Sequence, residues 1–179
     1  VEYAPDDFWN FGAHIDNGTL RDNQTGAKME RTGLGASVGY GFEAVKIASA
    51  LEYRQDQTQS PVDLAFSQRT NWLTKNSLKY QINPDWRFIG KFNYSQSKSS
   101  LGEFYDGTYT EAVVGYAYRP VADDRLNTLL KYTYFYNLPS SGQVTVANTA
   151  AAFIQKSHIF SVDTLYDLTR SWTVGGKYA

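Results

Sequence analysis

Residues Leu78 to Ser95 read LKYQINPDWRFIGKFNYS. Leu78, Tyr80 and Ile82 alternate with Lys79 and Gln81, and Trp86, Phe88, Phe92 and Tyr94 alternate with Arg87, Lys91, Asn93 and Ser95. Period-two alternation is the mark of a strand with one apolar and one polar face. Between the two runs stands Asn83-Pro84-Asp85, a turn signal, because proline presets φ and the Asn and Asp side chains bond their own backbone. The stretch is a β-hairpin in which both strands carry charges on one face and aromatic rings on the other.

The same pattern extends in both directions. Toward the N-terminus, Trp72 shares the apolar face with Leu78, opposite Lys75 and Ser77. Val45, Ile47, Leu51 and Tyr53 oppose Lys46, Ala48, Glu52 and Arg54. Leu34, Ala36, Val38, Tyr40 and Phe42 oppose a small-residue face of Gly33, Gly35, Ser37, Gly39 and Gly41. Trp9, Phe11, Ala13 and Ile15 oppose Asn10, Gly12, His14 and Asp16. Toward the C-terminus, Ala112, Val114, Tyr116 and Tyr118 oppose Glu111, Gly115 and Arg119. Leu126, Leu130, Tyr132, Tyr134 and Tyr136 oppose Asn127, Lys131, Thr133 and Asn137. Phe160, Val162, Tyr166 and Leu168 oppose Ser157, Ser161, Asp163 and Asp167. Trp172, Val174 and Tyr178 oppose Thr173, Gly175 and Lys177.

Each complete run is about 9–13 residues, the length a tilted strand needs to cross a bilayer and about twice the usual strand of a soluble sandwich. Connections alternate in length. Long loops are expected at Asn17–Met29, Gln55–Gln68, Gln96–Gly107 and Leu138–Gln155, and tight turns at Glu43–Ala44, Asn83–Asp85, Val121–Asp124 and Thr169–Ser171. Short periplasmic turns with longer extracellular loops characterise outer-membrane barrels. The sequence therefore predicts an all-β, antiparallel, up-and-down transmembrane β-barrel with about 8–10 strands in this stretch. Residues 1–7 are expected as an N-terminal segment and residues 8–179 as the strands. Barrel strand counts are usually even. Nine runs, the last cut short, give the expectation of a fragment of a larger barrel.

Composition agrees with this class. Aromatic residues make up 16% of the 179, with 14 Tyr, 10 Phe and 4 Trp, while the net charge of -1 offers nucleic acid no basic excess. The mean hydropathy of -0.46 is that of alternation, where each lipid-facing residue is diluted by a polar one. With 0 Cys, disulfides and thiolate chemistry are excluded. No segment carries the roughly 20 apolar residues of a membrane helix, nor a signal peptide. An outer-membrane protein is made with such a peptide, so the expectation is a mature chain or an excised piece.

The aromatic residues Trp9, Tyr53, Trp72, Tyr80, Trp86, Tyr94, Tyr116, Tyr118, Tyr134, Tyr136, Tyr166 and Trp172 are expected as interface girdles, since amphipathic rings favour the headgroup level. Their alternative place is a soluble lectin-like core, which has no use for two aromatic bands. The charged residues Lys46, Glu52, Arg54, Lys75, Lys79, Arg87, Lys91, Glu111, Arg119, Lys131, Asp163, Asp167 and Lys177 are expected on the lumen register. Two readings stay open for them: an ion-pair network plugging a narrow barrel, or a basic lining that prefers anions. Leu73, Ile89, Leu129, Phe135 and Leu165 share that register and favour a filled interior.

Catalytic, metal and cofactor signals are weak. His14 and Asp16 share a face but read better as a lumen-lining pair. His158 falls on the lipid register, away from Ser157 and Ser161. Glu103, Asp106, Asp56 and Asp63 are expected in loops, where carboxylates are usually solvated. No phosphate loop, dinucleotide fingerprint or calcium-loop spacing occurs.

The segments FYDGTYTEAVVGYAYRP, DRLNTLLKYTYFYNLPSSGQV and SVDTLYDLTRSWTVGGKYA, with LKYQINPDWRFIGKFNYS, resemble outer-membrane β-barrel regions near the C-terminus of very large, repeat-rich bacterial surface proteins. The similarity covers most of the chain after about Arg31, and Asn137-Leu138-Pro139 is part of its most specific stretch. The resemblance implies a barrel in a Gram-negative outer membrane, acting as an anchor or structural part of a larger envelope protein. The alternative is a passive porin-like channel. Implied partners are membrane lipids including lipopolysaccharide, other segments or subunits completing the barrel, and the barrel-assembly machinery. It implies neither catalytic residues nor a cofactor.

Overall fold

The computed structural model describes residues 1–60, 65–102, 106–123, 125–138, 155–169 and 171–179. They form one antiparallel sheet with strands in chain order: β1 (Glu2–Tyr3), β2 (Trp9–Arg21), β3 (Lys28–Phe42), β4 (Val45–Gln59), β5 (Phe66–Gln81), β6 (Trp86–Ser99), β7 (Gly107–Tyr118), β8 (Leu126–Leu138), β9 (Gln155–Thr169) and β10 (Trp172–Tyr178). The all-β, up-and-down architecture expected from the alternation is present. No described residue is helical.

Strand length differs from expectation. β3, β4 and β9 each have 15 residues and β5 has 16. Three stretches expected as long loops are partly strand. Asn17 to Arg21 pairs with Lys28 to Thr32, so only Asp22 to Ala27 turns. Gln55 to Gln59 pairs on both sides, with β3 and with Phe66 to Thr70. Gln96 to Ser99 continues β6, Ser99 opposite Arg69. Apart from Leu20, Met29 and Phe66 these segments are polar on both faces, as in Gln55-Asp56-Gln57-Thr58-Gln59. They carry no apolar period, and backbone hydrogen bonding alone makes them strand. The fourth long loop falls on residues 139–154, outside the described ones.

The N-terminal segment is not outside the sheet either. Glu2 pairs with Gly12 and Tyr3 with Phe11, and the Val1 carbonyl accepts from the Ala13 N–H at 2.9 Å. β1 thus begins a ladder along β2.

The turns close as their residues dictate. Asn83 Oδ1 accepts from the N–H groups of Asp85 (3.0 Å) and Trp86 (2.9 Å), the Asx-turn foreseen for Asn-Pro-Asp. Asp22 Oδ1 accepts from Gln24 N–H at 2.8 Å, and Gly26 takes φ 78°, which only glycine adopts freely. Adjacent short connections are tied together: Asp85 Oδ1 accepts from Val121 N–H at 2.7 Å.

Strand pairing is staggered. Tyr80 opposes Phe88, which opposes Tyr116, whereas the next short-turn row, Trp86 with Tyr118, lies two residues further on. Leu126 with Tyr166 lies two further again. A stagger of constant sense is the shear that makes strands tilt in a barrel wall. β1 and β10 do not pair, so the sheet is open. β2 and β10 run in the same direction, and an all-antiparallel closure between them takes an odd number of strands, of which β1 occupies the first position.

Candidate functional site

Direct partners in antiparallel strands point their side chains to the same side. Following the register from strand to strand therefore sorts the chain into two faces.

One face is apolar and aromatic. Trp9 opposes Tyr40, with ring centroids 4.6 Å apart. Tyr53 opposes Trp72 at 4.7 Å, and Trp86 opposes Tyr118 at 4.5 Å. Tyr80 and Tyr116 flank Phe88, Tyr94 opposes Thr110 and then Tyr136, Tyr134 opposes His158, and Tyr166 opposes Leu126. Eleven of the twelve expected girdle residues thus share one face. Trp172 sits at a register shift beside Thr169, so pairing does not assign it a face; it is 71% exposed. Aliphatic residues of the same face are open too: Ile15 is 77% exposed, Leu51 51% and Val114 43%. No hydrophobic side chain among the described residues is buried.

The band has a definite width. On β4 the apolar face runs from Val45 to Tyr53, interrupted by Ser49, and on β5 from Tyr80 to Trp72, interrupted by Thr74 and Asn76, whose side chains bond one another and Ser49. Eight steps of ~3.4 Å give roughly 27 Å along the strand. At a tilt of ~40° that is roughly 20 Å in height, near the ~25 Å apolar band of outer-membrane barrels. Beyond Tyr53 and Trp72 the same face turns polar, with Gln55, Gln57 and Thr70. The strands therefore outrun the apolar band at the long-connection end.

The other face is polar and concave. Asn10 of β2, Lys46 of β4, Lys75 and Lys79 of β5 and Lys91 of β6 line one concavity of about 1050 Å³, which requires the sheet to curl toward them. Of the thirteen expected lumen charges, twelve lie on this face by register: Lys46, Glu52, Arg54, Lys75, Lys79, Arg87, Lys91, Glu111, Lys131, Asp163, Asp167 and Lys177. Arg119 does not. It lies one residue past β7, in the connection to β8, because Tyr118 ends the ladder there. Leu73, Ile89, Leu129, Phe135 and Leu165 share the concave face, as expected.

The charges form separate clusters. Glu111 Oε2 accepts from Lys91 Nζ (2.9 Å), Asn93 Nδ2 (2.9 Å) and the Tyr109 hydroxyl (3.1 Å). Lys177 stands 3.8 Å from Asp163, and Thr173 donates to Asp167 at 2.6 Å. Asp56, expected in a loop, is instead a buried β4 residue: Arg31 Nε donates to it at 2.7 Å and Arg54 Nε stands 3.3 Å from its other oxygen. Sequence reading missed this triad because its members sit where both faces are polar. Lys46 and Lys79 are direct cross-strand partners, a like-charge pair that only the register exposes.

The small residues of β3 are explained by what lies over them. A Cβ on Gly35 would meet the His14 imidazole, and one on Gly39 the Asn10 amide. Neighbouring side chains thus pack close over Gly35 and Gly39.

His14 Nε2 lies 3.6 Å from Asp16, and no group of three His, Cys, Asp or Glu gathers among the described residues. His158 Nδ1 contacts the Tyr132 hydroxyl at 2.7 Å on the apolar face, while Ser157 and Ser161 belong to the other. Asp106 accepts from Ser99 N–H at 2.7 Å. Glu103 and Asp63 lie outside the described residues. The chain matches no protein-family model and no characterised protein, so its geometry carries the functional reading.

Proposed function

We propose that this chain is wall of a Gram-negative outer-membrane β-barrel and serves as the membrane anchor, or a structural part, of a larger cell-surface protein, with no catalysis of its own. The observation that carries the reading is the exposed apolar face. A water-soluble sheet covers such a face with a second layer, and no layer is present among the described residues. Lipid is the cover that matches it: an apolar band of about the right height, aromatic at its edges, on strands whose backbone groups are paired.

The long strands orient the barrel. Both-face-polar ends suit water, so the ends beyond Tyr53 and Trp72 are extracellular and the short turns periplasmic. The partners of this surface are phospholipid and lipopolysaccharide, further strands at the β2 and β10 edges, and the barrel-assembly machinery during insertion.

A second reading, a passive channel with mild anion preference, draws on the basic concave face. The two are separated by reconstituting the folded chain in liposomes and planar bilayers. An anchor inserts, protects its strands from protease and passes no steady current. A stable anion-selective conductance selects the channel. A chain that is folded and monodisperse in buffer without detergent overturns both.

A further inference from the structure

On the concave face, some cations meet a carboxylate and others do not. Lys91 has Glu111, Arg31 and Arg54 share Asp56, and Lys177 has Asp163. Lys46, Lys75 and Lys79, like Arg87 and Lys131, have no carboxylate within ion-pair distance among the described residues, and these three line one concavity. Lys46 and Lys79 are moreover direct cross-strand partners, an arrangement that destabilises a sheet. Asp7 and Glu43 line the same concavity, and Glu52 borders Lys75 from a neighbouring pocket, yet none closes on an ammonium. All three lysines are exposed, and they line one concavity with no protein counter-ion in reach among the described residues, so the row is open to an anion.

We infer that Lys46 and Lys79, with Lys75 one position beyond Ser77, form a binding site for a multiply charged tetrahedral oxyanion of the phosphate type, at the short-turn end of the concave face. The chemistry fits. An ammonium offers three donors and no acceptor, and a phosphoryl group is all acceptor. Lys75, Ser77 and Lys79 alternate along one face of β5, so the hydroxyl of Ser77 stands between the two ammonium stems. The neighbouring positions on the same face are small, Gly41 beside Lys46, Ala48 beside Ser77 and Gly39 beside Ala48, which leaves room for the anion to sit close to the sheet. Lys91 is the cross-strand partner of Ser77 and lines the same concavity, but its ammonium is already held by Glu111.

The inference needs a wet concave face, not a membrane, so it is tested on the folded chain in zwitterionic detergent. The probe is pyrophosphate, read by calorimetry and by the thermal midpoint, against sodium chloride at equal ionic strength. Wild type binds pyrophosphate and its midpoint rises. K46Q/K79Q binds roughly ten-fold or more weakly, while its midpoint without anion is equal to wild type or higher, because the like-charge pair is gone. K46R/K79R retains binding. If the double glutamine variant does not fold, K79Q alone carries the same expectation. Equal binding by wild type and the glutamine variants, or a midpoint shift that sodium chloride reproduces, overturns the site. Failure of liposome insertion overturns the anchor and leaves this result standing.

Discussion

The imidazole of His14 lies across Gly35, its direct cross-strand partner, on the concave face. The space a Cβ would need at Gly35 is already taken by the ring, so the two positions are one packing unit. Gly35→Ala displaces the imidazole and costs about 1 kcal/mol, at the low end for overpacking because the ring can swing toward water. His14→Ala in the same chain recovers most of that. The double-mutant cycle is read from urea midpoints in detergent, and additivity of the two changes contradicts the packing account.

Val114 lies on the apolar face within the band, whereas Gln57 lies on the same face beyond it. Val114→Arg is expected to lower the stability of the bilayer-inserted chain by about 2–4 kcal/mol and Gln57→Arg by less than about 1 kcal/mol. Equal effects in equilibrium unfolding from liposomes exclude lipid as the cover of this face.

Trp72 and Trp86 mark opposite edges of the band. In single-tryptophan variants each is expected to be quenched more by bromines near the headgroups than by bromines near the chain ends. Stronger quenching from the chain ends removes the girdle assignment.

Glu111 receives three donors, so its loss strands more than that of any one partner. Glu111→Ala is expected to cost about 1–3 kcal/mol and Lys91→Ala about 1 kcal/mol or less. The comparison is made by thermal melts at matched detergent and salt, and a larger loss for the lysine contradicts it.

The Asp22 carboxyl is held below its ordinary value of 3.8, chiefly by the Thr25 hydroxyl and then by the N–H groups of Gln24 and Thr25. A folded-state value below the unfolded one gives stability that is complete above the unfolded value. It is lost as pH falls through the folded one. Hydrogen exchange at the Gln24 amide is expected to accelerate, relative to Asp22→Asn, only below about pH 3.8. A loss of protection that begins near neutrality points to another group.

Alternation alone makes the two faces legible. Once Lys79 is seen opposite in phase to Tyr80, and Arg87 to Phe88, the side each residue takes follows from the period of the backbone. No tertiary contact is needed for that. Twelve of the charges expected on the lumen register and eleven of the aromatics expected in the girdles lie on the face that period gives them. Arg119 escapes because period says nothing about where a ladder stops.

Strand type, facing and the short turns follow from one chain's own geometry and from residues such as Asn83 and Pro84. How far the strands run and which charges meet depend on pairing between strands. Gln55 to Gln59 is strand because β3 and β5 supply partners for its backbone, not because its side chains ask for it. Lys46 faces Lys79, and Arg31 reaches Asp56, through register, which is fixed by turn geometry and pairing between segments far apart in sequence.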